Sequence, residues 1–103
     1  MSCEVYGVIY KIENKKNGKV YIGQTTGTFY DRYGCGKWWR NSTNHHLKSA
    51  AKKYGRKNFE VDEIFDIAYS QEELNWKEKH WISTYRSNDR RFGYNKEDGG
   101  ADG

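Results

Sequence analysis

The chain contains no proline and only two cysteines in 103 residues. Without proline there is no Pro-rich spacer, and no internal linker or repeat is legible. The one low-complexity tract is the short glycine-rich end "DGGADG". Two cysteines, Cys3 and Cys35, cannot supply a disulfide framework. They read as the reduced thiols of a cytosolic, intracellular protein. No spacing suggests zinc, because Cys35 with His45 and His46 lacks a fourth ligand at a usual interval. No apolar run is long enough to span a bilayer, and no secretory signal is legible.

What the chain does have is positive charge and rings. The formal net charge is +4 and the sequence pI is near 9.0. That balance points toward a polyanionic partner. Aromatic residues make up 17%, including nine Tyr and four Trp. A core this small does not need so many, so some rings should line a cleft or stack on a ligand. The length suits one compact domain with its own core.

Periodicity gives the order of elements. "EVYGVIYKIE", Glu4 to Glu13, alternates as a strand with Tyr6, Val8, Tyr10 and Ile12 on one face. "NKKNG" carries an Asn-Gly turn signal, and "KVYIG", Lys19 to Gly23, is the returning strand of a hairpin. Thr28 is a candidate N-cap for a short helix that holds Arg32. "CGKWWRNS" reads as a loop. Ser42 or Thr43 caps a second helix with Leu47, Ala50, Ala51 and Tyr54 at helical spacing, and Gly55 ends it. "NFEVDEIFDIA" is a third strand with Phe59, Val61, Phe65 and Ile67 on one face. Ser70 and Glu73 form a capping box for a last helix. The segment after Arg86 is irregular. The order β-β-α-α-β-α predicts an α+β domain: a small three-stranded, mainly antiparallel sheet flanked by helices.

Hairpin register decides whether Tyr10 and Tyr21 can act together. A two-residue loop at Asn17-Gly18, or a four-residue loop over Lys15 to Gly18, puts both on one face; a three-residue loop separates them. The four-residue loop pairs Ile12 with Tyr21 and makes Tyr10 its diagonal neighbour, roughly 7–8 Å away between Cα atoms. Two hydroxyls so placed suit one phosphate. The bland alternative is that both are packing residues, since tyrosine favours strands.

The last helix holds the sharpest signal. Leu74, Trp81, Ile82 and Tyr85 fall at i, i+7, i+8 and i+11, and Glu78 is the i+4 of that apolar stripe. A buried carboxylate without a partner costs several kcal/mol. Glu78 therefore needs an ion pair, hydrogen bonds or a cation. A single carboxylate is also what a Mg²⁺ ion on a phosphate backbone requires.

The basic residues point to phosphate contacts. Arg32 can fork onto a phosphate beyond the "GQTTGT" loop. Lys37, Trp38, Trp39 and Arg40 form a basic-aromatic stretch that can stack on or wedge into nucleic acid. His45, His46, Lys52 and Lys53 are further candidates, as is Lys19 at the start of the second strand. For each alone, a solvated surface is the ordinary alternative.

At these residues the sequence resembles the GIY-YIG nuclease family over nearly its whole length. "YIG" is intact at Tyr21-Ile22-Gly23, and Val8-Ile9-Tyr10 aligns to "GIY", with Val8 in place of the usual glycine. Arg32 matches the family's arginine on the first helix, and Glu78 in "EKHWI" matches its metal-binding glutamate. Asn95 in "GYNKEDGG" matches the asparagine of the C-terminal segment. A histidine found soon after the arginine in many members has no counterpart in "YGCGKWW"; His45 or His46 stands nearest. "HHLKSAAKKYGRKNF" resembles the phage- and homing-type branch.

The resemblance implies an endonuclease that hydrolyses DNA phosphodiester bonds with Mg²⁺ (or Mn²⁺). Tyr10, Tyr21, Arg32, Glu78 and Asn95 are the implied catalytic set, with Glu78 on the metal. In this expectation Arg32, Lys19 or the metal lowers a tyrosine pKa from its usual ~10 so that it can act as a base. Lys19, Lys37, Trp39, Arg40, His45, His46, Lys52 and Lys53 are the expected DNA contacts. The partner is DNA, inside a host cell if the chain is phage-encoded, with no membrane. The domain is expected to be a monomer, stand-alone or cut from a longer chain with a separate DNA-binding region. The competing readings are a non-cleaving DNA-binding module and a protein-interaction domain in which Glu78 makes a structural ion pair.

Overall fold

The structure, a computed structural model, describes residues 4–96. Cys3 and the glycine-rich end lie outside the described residues. The elements are β1 (Gly7–Asn14), β2 (Val20–Thr25), α1 (Phe29–Arg32), α2 (Trp38–Asn41), α3 (His45–Tyr54), β3 (Phe59–Ala68) and α4 (Gln71–Tyr85). A single 3₁₀ turn over Arg56–Asn58 joins α3 to β3. The sheet is antiparallel throughout, in the order β2-β1-β3. None of the described helices is long and apolar enough to cross a membrane.

The turn fixes the hairpin register. Gly18 takes the left-handed conformation, with φ of 76°, and its N–H donates to the Asn14 carbonyl. The Asn14 and Asn17 side chains accept from the N–H groups two residues on, Lys16 and Lys19. The loop therefore holds four residues, Lys15 to Gly18, and Ile12 faces Tyr21 while Tyr10 faces Gly23. Tyr6 falls before β1, is exposed, and donates its hydroxyl to Gln71 Oε1. It does not share the buried face of Tyr10 and Ile12.

The third strand departs from simple alternation. Ile9 faces Asp66 but Lys11 faces Asp62, so β3 carries two extra residues between those pairs. Phe65 consequently turns to the α4 side, 4.8 Å from the Trp81 ring, while Phe59 and Val61 pack on the opposite face. The expected single face of Phe59, Val61, Phe65 and Ile67 is thus broken by the bulge.

Two further local expectations change. "CGKWWRNS" is not all loop, because Trp38–Asn41 winds one helical turn that sinks Trp38 into the core. Asn44, not Ser42 or Thr43, caps α3 by accepting from the Leu47 N–H. Gly55, at φ of 82°, ends that helix as expected. At the start of α4, Ser70 accepts from Glu73 N–H, and Glu73 reaches back one residue further than a standard capping box, to the Tyr69 N–H.

The sheet separates two cores. One face joins Tyr10, Ile12 and Tyr21 to Phe29, Tyr33, Trp38, Leu47 and Tyr94. The other joins Ile9 and Ile22 to Leu74 and Ile82 of α4. The segment after α4 returns along the free edge of β2: Tyr94 N–H donates to the Val20 carbonyl and Val20 N–H to the Phe92 carbonyl. Gly93 bridges Val20 in parallel.

Candidate active site

Three tyrosines and a phenylalanine gather where α1 crosses the hairpin. Tyr10 comes from β1, Tyr21 from β2, and Phe29 and Tyr33 from α1 and its end. Thr28 caps α1 by accepting from Asp31 N–H, which starts the helix where Phe29 faces inward. The Tyr10 ring stands edge-on to Phe29 at 5.1 Å and to Tyr33 at 5.7 Å between centroids. Tyr10 and Tyr21 centroids are 6.3 Å apart, as their diagonal pairing requires. The Tyr10 and Tyr33 hydroxyl oxygens are 2.7 Å apart.

Gly23 makes this packing possible. A Cβ added there would collide with the Tyr10 Cζ and hydroxyl oxygen. The glycine of "YIG" is therefore the floor on which the Tyr10 phenol lies.

Arg32 projects from α1 with its guanidinium carbon 5.6 Å from the Tyr33 ring centroid. Burial raises the Tyr10 pKa; the Tyr33 hydrogen bond and the Arg32 charge pull it back without cancelling the rise. Tyr21 is likewise raised by burial, with the charges of its neighbours Tyr10 and Glu78 adding to the rise. Tyr33 is raised by burial and by Tyr10. Arg32 acts in the direction expected from sequence, but desolvation wins. All three phenols are neutral at neutral pH.

Glu78 enters from the other layer. It lies in the buried stripe of α4 between Leu74 and Ile82, 1% exposed. Gln24, the residue after "YIG", donates its amide to Glu78 Oε1 and to Asn75 Oδ1, both at 3.0 Å. Gln71 in turn donates to Gln24 Oε1 and Asn75 Oδ1. This amide network holds the carboxylate at the β2 edge, close enough for its charge to act on Tyr10 and Tyr21. Among the described residues no group of three or more His, Cys, Asp or Glu could enclose an ion. The donor set fits a cation that keeps a mostly water and phosphate-oxygen shell and takes one carboxylate from the protein.

Asn95 does something more specific than the sequence suggested. It is 6% exposed, and its Oδ1 accepts from Ile22 N–H at 2.9 Å while its Nδ2 donates to the Ile22 carbonyl at 2.8 Å. The amide thus pairs with the backbone of "YIG" as a neighbouring strand would.

The basic candidates scatter. Lys19 is half-buried at the end of the hairpin turn, and Lys37 and Arg40 are exposed at either end of α2. His45 lies beside Trp39, Lys48, Lys52 and Arg56, whereas His46 faces Arg90, 3.4 Å between Nε2 and Nη2. Lys53 packs over Tyr54. The two histidines therefore serve different surfaces.

Sequence reasoning missed Tyr33, Gln24 and Asn75. Tyr33 follows Arg32 directly and Gln24 follows "YIG" directly, but neither position announces its partner 23 or 54 residues away.

The profile of the GIY-YIG catalytic domain matches residues 6–95. The fold is similar to two solved structures of the catalytic domain of I-TevI. One is a point variant described as an intron endonuclease, with a TM-score of 0.72 and 27% identity over 89% of this chain and 94% of that one. The other, described as a homing endonuclease, gives a TM-score of 0.71 and 26% identity over 88% and 98%. Among curated proteins none matches.

Proposed function

Since the chain belongs to the GIY-YIG family of nuclease catalytic domains, we propose that it is a phage- or homing-type, Mg²⁺-dependent endonuclease that hydrolyses phosphodiester bonds of DNA. The observation that carries this is the convergence of Tyr10, Tyr21, Arg32 and Glu78 into one interacting cluster from four separate elements. A strand packing role for the tyrosines would not require the buried carboxylate beside them.

Glu78 is the residue that would hold the cation, oriented by the amide of Gln24, which Asn75 anchors in turn. What Mg²⁺ or Mn²⁺ supplies there is positive charge, which offsets the charge building on the phosphate and leaving 3′ oxygen and draws down nearby phenol pKa values. Arg32, exposed at the rim, forks onto the non-bridging oxygens. Tyr10, or Tyr21 through a water, orients the attacking water, and takes its proton once the phenol has given up its own to solvent. Because burial keeps these phenols neutral at rest, this step belongs to the substrate-bound state. Tyr33 holds the Tyr10 hydroxyl in line through their hydrogen bond. Asn95 fixes the strand that carries Tyr21 and Gly23, and so acts on geometry.

The test is plasmid nicking with Mg²⁺ or Mn²⁺ by Glu78→Gln, a substitution of equal shape. Cleavage should fall by about 10²-fold or more, the scale of losing a charge-stabilising group, with metal-free DNA binding retained. Undiminished cleavage by a clean preparation would falsify the assignment.

A further inference from the structure

Between Arg32 and Phe59 the chain carries eight lysines and arginines and no carboxylate. The remaining residues hold more carboxylates than cations, so the positive field is confined to one stretch. The fold brings three of these eight, Lys48, Lys52 and Arg56, to one groove. On the outer face of α3, Lys48 and Lys52 lie at i and i+4, with His45 one turn earlier. Trp39 of α2 and Arg56 of the 3₁₀ turn form the walls of a cavity of about 600 Å³. The Arg56 guanidinium lies 4.1 Å over the Trp39 ring centroid, which holds both groups in a fixed wall. Among the described residues no carboxylate lines the groove. It shares no residue with the tyrosine cluster, yet α3 packs on the same sheet face as Tyr10 and Tyr21.

We propose that this groove is a second DNA-contact site, which seats the sugar-phosphate backbone of a strand flanking the scissile bond. Its chemistry is that of a sequence-independent track: spaced cations, a hydroxyl from Ser49, and an apolar wall for a sugar or base face. Lys48, Lys52 and Arg56 supply three separate cations for phosphate oxygens. The inference rests on DNA being the substrate, but not on cleavage.

The experiment is a salt titration of binding to a fluorescein-labelled duplex, in EDTA, with the combined variant Lys48→Gln/Lys52→Gln/Arg56→Gln. The slope of log K against log salt should become shallower by roughly 2–3, about 0.9 for each phosphate that is no longer neutralised. Hydrolysis of bis(p-nitrophenyl) phosphate, which has no flanking backbone, should be unchanged. A control removing Lys15 and Lys16 from the hairpin turn should leave the slope nearer the original. An unchanged slope in the triple variant overturns the proposal, as does a parent protein that binds no DNA. A shallower slope in a protein that never cleaves DNA leaves the groove standing and removes the nuclease reading instead.

Discussion

The hydroxyl oxygens of Tyr10 and Tyr33 lie 2.7 Å apart, and both side chains are buried. Each hydroxyl also has a second polar neighbour within hydrogen-bonding reach, Arg32 for Tyr10 and Tyr21 for Tyr33. Tyr33→Phe therefore removes one bond of the Tyr10 hydroxyl and leaves the Arg32 contact, and should lower stability by about 1 kcal/mol. Tyr10→Phe/Tyr33→Phe should cost less than the sum of the two single substitutions, because both lose the same bond. A urea-denaturation cycle over the four proteins reads the coupling. If the two single losses simply add, the bond contributes nothing to the fold.

Gly23 bears the Tyr10 phenol directly. Gly23→Ala places a methyl into the Tyr10 ring and hydroxyl. The ring must shift, at a cost of about 1–3 kcal/mol. Cleavage should fall further than stability alone explains, while metal-free DNA binding stays near that of the parent. Parent-like cleavage by Gly23→Ala would show that the position of the Tyr10 hydroxyl is not critical.

Asn95 satisfies both backbone groups of Ile22. Asn95→Leu keeps the bulk and removes both bonds, so each orphaned group should contribute about 1–3 kcal/mol of destabilisation. Hydrogen exchange at the Ile22 amide should speed up selectively. Asn95→Asp retains an acceptor for the Ile22 N–H but sets a carboxylate against the Ile22 carbonyl, and should be no better at neutral pH. Unchanged exchange at Ile22 in Asn95→Leu would contradict the pairing.

The tyrosine cluster sets a stability limit at high pH. Burial raises the Tyr10, Tyr21 and Tyr33 pKa values above those of the unfolded chain. The folded state therefore binds more protons than the unfolded state above the ordinary tyrosine range. Stability should be constant with respect to these groups below pH of about 10 and fall as the pH rises beyond it. Tyr33→Phe should flatten that alkaline fall. Thermal melts between pH 8 and about 11 measure it, and a parallel fall in both proteins would remove Tyr33 from the cause.

The sequence by itself determined the hairpin and the place of its turn, because Asn17-Gly18 acts within a few residues, but left its loop length open; the four-residue turn and the Ile12–Tyr21 register came with the structure. The sequence also determined that Glu78 is buried, since a 3.6-residue period leaves that position facing inward whatever it packs against. The α+β class followed from the same local signals. Only the tertiary structure decided what those residues meet. The β3 bulge that redirects Phe65, the Tyr33 hydroxyl on Tyr10, the Gln24 amide on Glu78 and the Asn95 pairing with Ile22 all join distant segments. Their geometry depends on how α1, α4 and the returning tail seat against the sheet. Periodicity tells which side of an element faces inward; close packing of whole side chains decides which atoms touch there.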